Sequence, residues 1–149
     1  MPKLHLTTKI NAPLQTVFDL ARNIDAHLES TSQTNEKAIA GRISGLIELG
    51  ETVTWEAKHF GFTLRHQSEI TSMEVPTYFV DEMISGRFET FRHEHFLNEE
   101  NGVTVMIDVI EYRTPFGFVG KCFDALILRN YLRRLIERRN AVLKKLAQG

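Results

Sequence analysis

Apolar and polar residues alternate from the start of the chain. Leu4, Leu6 and Ile10 fall on one face and His5, Thr7 and Lys9 on the other, so the stretch from Lys3 to Ile10 reads as a half-buried strand. Asn11 then precedes Pro13, a cap followed by a proline in the first turn, and Leu14, Val17, Phe18 and Ala21 recur at helical spacing up to about Arg22. Ile24 and Leu28 lie four apart behind the capping residues Asn23 and Asp25, which predicts a second short helix from Asn23 to Thr31. A weak strand is expected from Thr34 to Ala40. Gly41, Gly45 and Gly50 then bracket Ile43 to Leu49 as a loop, whose glycines permit the movement of a gate.

From Glu51 to Ile70 both halves alternate around Phe60-Gly61, the pattern of a hairpin. Val53, Trp55, Ala57 and His59, then Phe62, Leu64, His66, Ser68 and Ile70, share the expected inward face. With the turn at Phe60-Gly61, His59 stands opposite Phe62 and Trp55 opposite His66. Pro76 and Gly86 delimit a strand from Tyr78 to Ser85. Another runs from Phe88 to Leu97, a turn covers 98–102, and Val103 to Arg113 is again rich in β-formers. After Pro115, apolar positions Val119, Cys122, Phe123, Leu126, Leu132, Leu135, Ile136, Val142, Leu143 and Leu146 recur at intervals of three and four. Phe116 to Leu146 is therefore expected to be one helix about 45 Å long, packed across the sheet. Strand, two short helices, six or so strands and a closing helix make an α+β architecture.

The order of these pieces resembles the SRPBCC or START-like helix-grip superfamily, which includes the birch-pollen-allergen fold, polyketide cyclases and coenzyme Q-binding proteins. Asn-Ala-Pro-Leu-Gln-Thr-Val-Phe at 11–18, Phe-Val-Asp-Glu-Met-Ile-Ser-Gly at 79–86, Phe91-x-His93-x-His95 and Pro115-Phe-Gly carry the resemblance, which most suggests bacterial ligand-binding SRPBCC domain proteins. It implies a curved antiparallel sheet of six to seven strands around the C-terminal helix. It also implies a pocket between them for hydrophobic ligands, with catalysis in a few members. Phe91 stands where such proteins often have tryptophan, a departure that changes pocket size.

Bulk properties narrow the rest. At 149 residues with 42% hydrophobic content the chain suits one domain, 1–149, with a real core. A formal net charge of −1 provides no global field for nucleic acid. The N-terminal stretch lacks the apolar core of a signal peptide, and no apolar run approaches the roughly 18 residues that span a bilayer. Cys122 is alone, so no internal disulfide forms; a cytoplasmic protein, monomer or homodimer, is expected, with Cys122 an inert thiol.

Candidate chemistry lies on the expected inward face. Trp55, Phe79, Met83, Phe91, Met106, Ile110 and Tyr112 offer adaptable apolar walls, or simply core. His59, His66, Asp81, His93, His95 and Asp108 are polar groups there, each needing a partner or a purpose. If Leu97 pairs with Thr104, His93 faces Asp108 and His95 faces Met106. The His93–Asp108 couple is then either a satisfied internal hydrogen bond or a general base of the kind a cyclase or aromatase would use. His93 and His95 with His59 or His66 would form a metal set, but no carboxylate or cysteine stands at reinforcing spacing; no metal and no cofactor are expected. Between residues 129 and 145 seven cations face the single anion Glu137. That stretch reads either as a solvated outer face or as a transient contact with an anionic membrane surface.

Overall fold

The computed structural model describes residues 2–149. Strand β1 (Lys3–Ile10) leads into helices α1 (Leu14–Ala21) and α2 (Ile24–Ser30), then β2 (Lys37–Gly41), β3 (Thr52–His59), β4 (Phe62–Glu74), β5 (Tyr78–Ser85), β6 (Thr90–Glu100) and β7 (Val103–Arg113). All seven strands form one antiparallel sheet in the order β1-β7-β6-β5-β4-β3-β2. Pro13 occupies the N-cap of α1 and the Asn23 side chain accepts from the Ala26 amide to cap α2. The predicted strand from Thr34 begins instead at Lys37, because Ser32–Thr34 makes a short 3-10 turn.

The β3–β4 hairpin turns at Phe60-Gly61, and His59 pairs with Phe62 and Trp55 with His66, as the alternation predicts. The β6–β7 hairpin departs from expectation. Its turn is the two residues Asn101-Gly102, both at positive φ (52° and 80°), the favoured geometry of a tight hairpin, rather than the longer loop 98–102. The pairing therefore slips by two residues: Leu97 faces Met106, His95 faces Asp108 and His93 faces Ile110. A shift of two keeps every side chain on its face and changes only its neighbours.

The C-terminal helix is continuous but not uniform. Helix α3 (Gly117–Phe123) passes through a π-helical stretch, Asp124–Leu128, into α4 (Arg129–Gln148). The wider π turn breaks the register of the apolar stripe. Across α3 and the π stretch the inward face is Gly120, Asp124 and Leu128, so Val119, Phe123 and Leu126, expected to pack on the sheet, are exposed, and Cys122 is half-buried. Helix α4 packs against β1, α1 and α2. The main core, with Ile10, Phe18, Val53, Phe79, Met106 and Leu143, lies between these helices and the sheet.

The loop expected to gate the interior is tied down. Arg22 reaches the Ile47 carbonyl (3.3 Å) and Glu48 (2.5 Å), Gly45 donates to Asp25 (3.0 Å), and Arg42 forks onto Glu51 (3.1 and 2.8 Å).

Candidate ligand-binding hollow

All twelve expected site residues lie on the concave face, at positions set by the strand registers. The face divides into two parts. Along β1, β7 and the end of β6 it is filled: Leu4, Met106, Ile110 and Tyr112 are fully buried. Along β3, β4, β5 and the start of β6, the inward side chains of Trp55, His59, His66, Met83 and Phe91 are only half-buried. Helix α4 packs chiefly on β1 and the short helices and reaches this part through single side chains, Tyr131 at His59 and Leu132 and Ile136 in the cluster that includes Phe91. Solvent reaches these inward side chains and also the carboxyl of Asp81, which is 24% exposed. His66 meets Phe91 edge-on at 5.2 Å, and the His27 ring of α2 lies over Trp55 at 4.2 Å, tilted by 32°. His59 Nδ1 hydrogen-bonds the Tyr131 hydroxyl at 2.7 Å, joining hairpin to helix.

Between the two parts lies a buried polar network. His93 Nε2 approaches Asp108 Oδ1 at 2.7 Å, so the sequence-predicted couple forms, though diagonally across the strands rather than directly. His95 Nε2 approaches Asp81 Oδ2 at 2.8 Å. The His95 ring is held between Phe79 (3.9 Å, 8°) and His93 (3.8 Å, 21°). Its Nδ1 is buried without a hydrogen bond, 3.4 Å from Asp108 Oδ1.

Two members of the network were not anticipated. Arg139 donates to Asp108 Oδ1 and the Ala21 carbonyl, both at 3.2 Å, and Asn140 donates to Asp108 Oδ2 at 2.8 Å and Thr8 Oγ1 at 3.2 Å. Arg139 therefore does not belong to the solvated basic face assigned to it: a fully buried carboxylate at Asp108 draws the guanidinium inward. A signal existed, because 139 and 140 share the helix stripe of Leu132, Ile136 and Leu143, where two polar residues interrupt an apolar face.

Burial alone would raise the Asp81 carboxyl, but the His95 hydrogen bond and the nearby His93, His95 and Arg139 charges outweigh it and hold it at about 2. Asp108 is likewise opposed by burial, yet the His93 hydrogen bond, the adjacent His95 ring and the Arg139 charge keep it well below the ordinary carboxylate range. Burial, then the neighbouring His95, pushes the His93 imidazole below its usual value. Burial also lowers His66 and His59. The site thus holds two carboxylates ionised and its solvent-reached imidazoles neutral near pH 7.

Asp81, His93 and His95 bring potential ligand atoms within 4.8 Å of one another. The arrangement does not suit a shared ion. An imidazole binds metal in the plane of its ring, and the stacked His93 and His95 rings have nearly parallel planes that do not converge nearby. His59 and His66, the other ligands considered from sequence, lie outside this cluster. Two surface depressions lie elsewhere. One, of about 410 Å³, is lined by Lys37, Glu56 and Lys58 at the sheet edge; the other, of about 440 Å³, is lined by Tyr78, Phe96 and Ile107 on the outer face. Both are open and charged or convex-side, and none of the twelve residues lines either.

A seven-stranded curved sheet gripping one long C-terminal helix, with two short helices after the first strand, is the helix-grip fold. No family model matches the chain, and no curated protein sequence matches it. Solved structures do match. The protein TTHA0849 from Thermus thermophilus superposes with a TM-score of 0.78 at 16% identity, over 97% of this chain and 95% of that one. Major latex-like protein 151 from Panax ginseng gives 0.73 at 12% identity, over 99% and 98%. The Zhui aromatase/cyclase from Streptomyces sp. R1128 gives 0.70 at 10% identity, over 97% and 95%. At these identities the likeness is one of fold.

Proposed function

We propose that the protein binds a small, largely apolar molecule, lipid-like or aromatic, in the hollow between β3–β6 and the C-terminal helix. One observation carries the reading: Trp55, Met83 and Phe91 point inward yet remain half-buried, whereas the neighbouring part of the same face is packed solid. Apolar area left wet inside a sheet is covered favourably by an apolar guest, at roughly 25 cal/mol per Å². Asp81, His59 and His66 on the same floor orient the guest's polar group.

Trp55 is the single tryptophan, so its emission reports occupancy. Titration with Nile red or a long-chain fatty acid is expected to change Trp55 fluorescence saturably. Phe91→Trp, which enlarges a wall, should weaken binding. Native mass spectrometry of protein from its own host should show a recurrent retained mass. No fluorescence response to any apolar probe and no retained molecule would overturn the proposal.

A second reading, a cyclase- or aromatase-type enzyme, draws on the 2.7 Å His93–Asp108 contact: a neutral imidazole held through Nε2 has Nδ1 left to accept a proton. His93→Ala separates the two. A binder loses affinity modestly, whereas an enzyme loses on the order of 10²–10⁴ in turnover.

A further inference from the structure

From Thr114 to Ile136 the chain has one acid, Asp124, and that side chain is buried against Tyr112 and Arg129. Helix α3 and the π stretch direct Gly120, Asp124 and Leu128 inward and leave large apolar side chains in water: Phe116 is 84% exposed, Phe118 79%, Val119 70% and Leu126 78%. The tip of the β3–β4 hairpin adds Phe60 and Phe62, the latter 68% exposed. The two elements meet, because the Phe60 ring lies 5.6 Å from Phe123 and 4.4 Å from Tyr131. Apolar side chains scattered singly over a surface need no explanation; this many gathered at one end do.

The charges around this end are one-sided. Arg65 is paired with Glu56 and Arg129 with Asp124, while Lys58, Lys121, Arg133 and Arg134 make no ion pair among the described residues. A second copy of the chain docked face to face would bring these cations together and be repelled. Neither surface depression is lined by Phe60, Phe62, Phe116 or Phe118. Aromatic and aliphatic side chains projecting among unpaired cations match a bilayer of anionic lipid, whose headgroups meet the cations and whose acyl boundary takes the apolar tips.

We propose that the α3 and β3–β4 hairpin end docks on an anionic lipid surface. The site differs from the basic stretch at 129–145, since the apolar contact comes from residues before it. It also rests on the ligand-binding reading, because Tyr131, which touches Phe60, hydrogen-bonds His59 of the hollow. Docking therefore places the hollow's mouth beside the bilayer, where an apolar guest is exchanged without crossing water.

Vesicle flotation of the full chain tests this, using phosphatidylcholine with and without phosphatidylserine. Binding is expected only with phosphatidylserine and is expected to fall as salt rises. Phe118→Ser and Leu126→Ser should each lower it about tenfold or more, and Lys121→Gln or Arg134→Gln about fivefold each. All four sit at the surface, so their melting curves should match the parent. Absence of flotation with phosphatidylserine, or flotation unaffected by Phe118→Ser, overturns the docking. So does a concentration-dependent dimer in sedimentation velocity that Phe118→Ser abolishes, because that assigns the face to self-association. Trp55 titrations in the absence of vesicles keep the two proposals apart: saturable ligand binding without flotation defeats the docking alone, and flotation without ligand binding defeats the carrier reading alone.

Discussion

Removing Arg139 tests the buried network most directly. Its guanidinium is 5% exposed and is the cation facing Asp108, whose carboxylate is completely buried. In Arg139→Met the side-chain volume is largely retained, but Asp108 keeps only His93 and Asn140, and the Ala21 carbonyl loses its donor. Stripping one partner from a buried charge pair costs about 3–5 kcal/mol. Against a total stability on the order of 10 kcal/mol, that should lower the melting temperature by about 10 °C. The pH dependence has a definite sign. With Arg139 present, Asp108 is held well below its ordinary value, so its contribution is complete above about 4 and is lost only in stronger acid. Without the guanidinium the Asp108 value rises, and a proton relieves the variant before it affects the parent. The stability gap should therefore be widest near neutrality and narrow as the pH falls toward about 4. Urea titrations of both proteins across that range measure it. In a double-mutant cycle with Asp108→Asn the two losses should fall short of additive by about 1–3 kcal/mol. A variant melting within about 2 °C of the parent at neutral pH would refute the reasoning.

Further outcomes follow from the same fold. Burial lowers His93, His66 and His59, so the native state refuses protons that the unfolded chain accepts near pH 6.5. Stability should be complete above about 6.5 and decline below it, with a further loss below about 4 as Asp81 and Asp108 protonate; thermal melts should show both steps, and His93→Gln should shrink the first. Gly120→Ala should destabilise by about 1–3 kcal/mol in urea titrations, because a Cβ there would lie 1.9 Å from the Pro115 carbonyl oxygen. The exposed neighbour Phe118→Ser should stay within about 0.5 kcal/mol of the parent.

Local periodicity determined much of this protein. Alternation along Lys3 to Ile10 and Glu51 to Ile70, capping at Asn23 and the apolar spacing after Pro115 follow from how backbone geometry sorts side chains to faces. That is why the α+β class, the β3–β4 register and the inward position of all twelve candidate residues could be read from the chain. Faces survive a register slip of two, so His93 and Asp108 were correctly placed inside although their pairing was wrong. Contacts are not local. The tight Asn101-Gly102 turn decides that His95 faces Asp108, and the β5–β6 register, which sets Asp81 opposite His93 and Phe79 opposite His95, decides that Asp81 meets the β6 histidines. Arg139 and Asn140 join the network from 31 and 32 residues away only because α4 packs on β1, the neighbour of β7. The π turn settles what periodicity could not: a helix stripe says that one side is apolar, but the sheet must be present to cover it. Through α3 and the π stretch the apolar stripe turns away from the sheet, leaving Phe118 and Leu126 in solvent, while Trp55 and Phe91 on the concave face stay only half-buried.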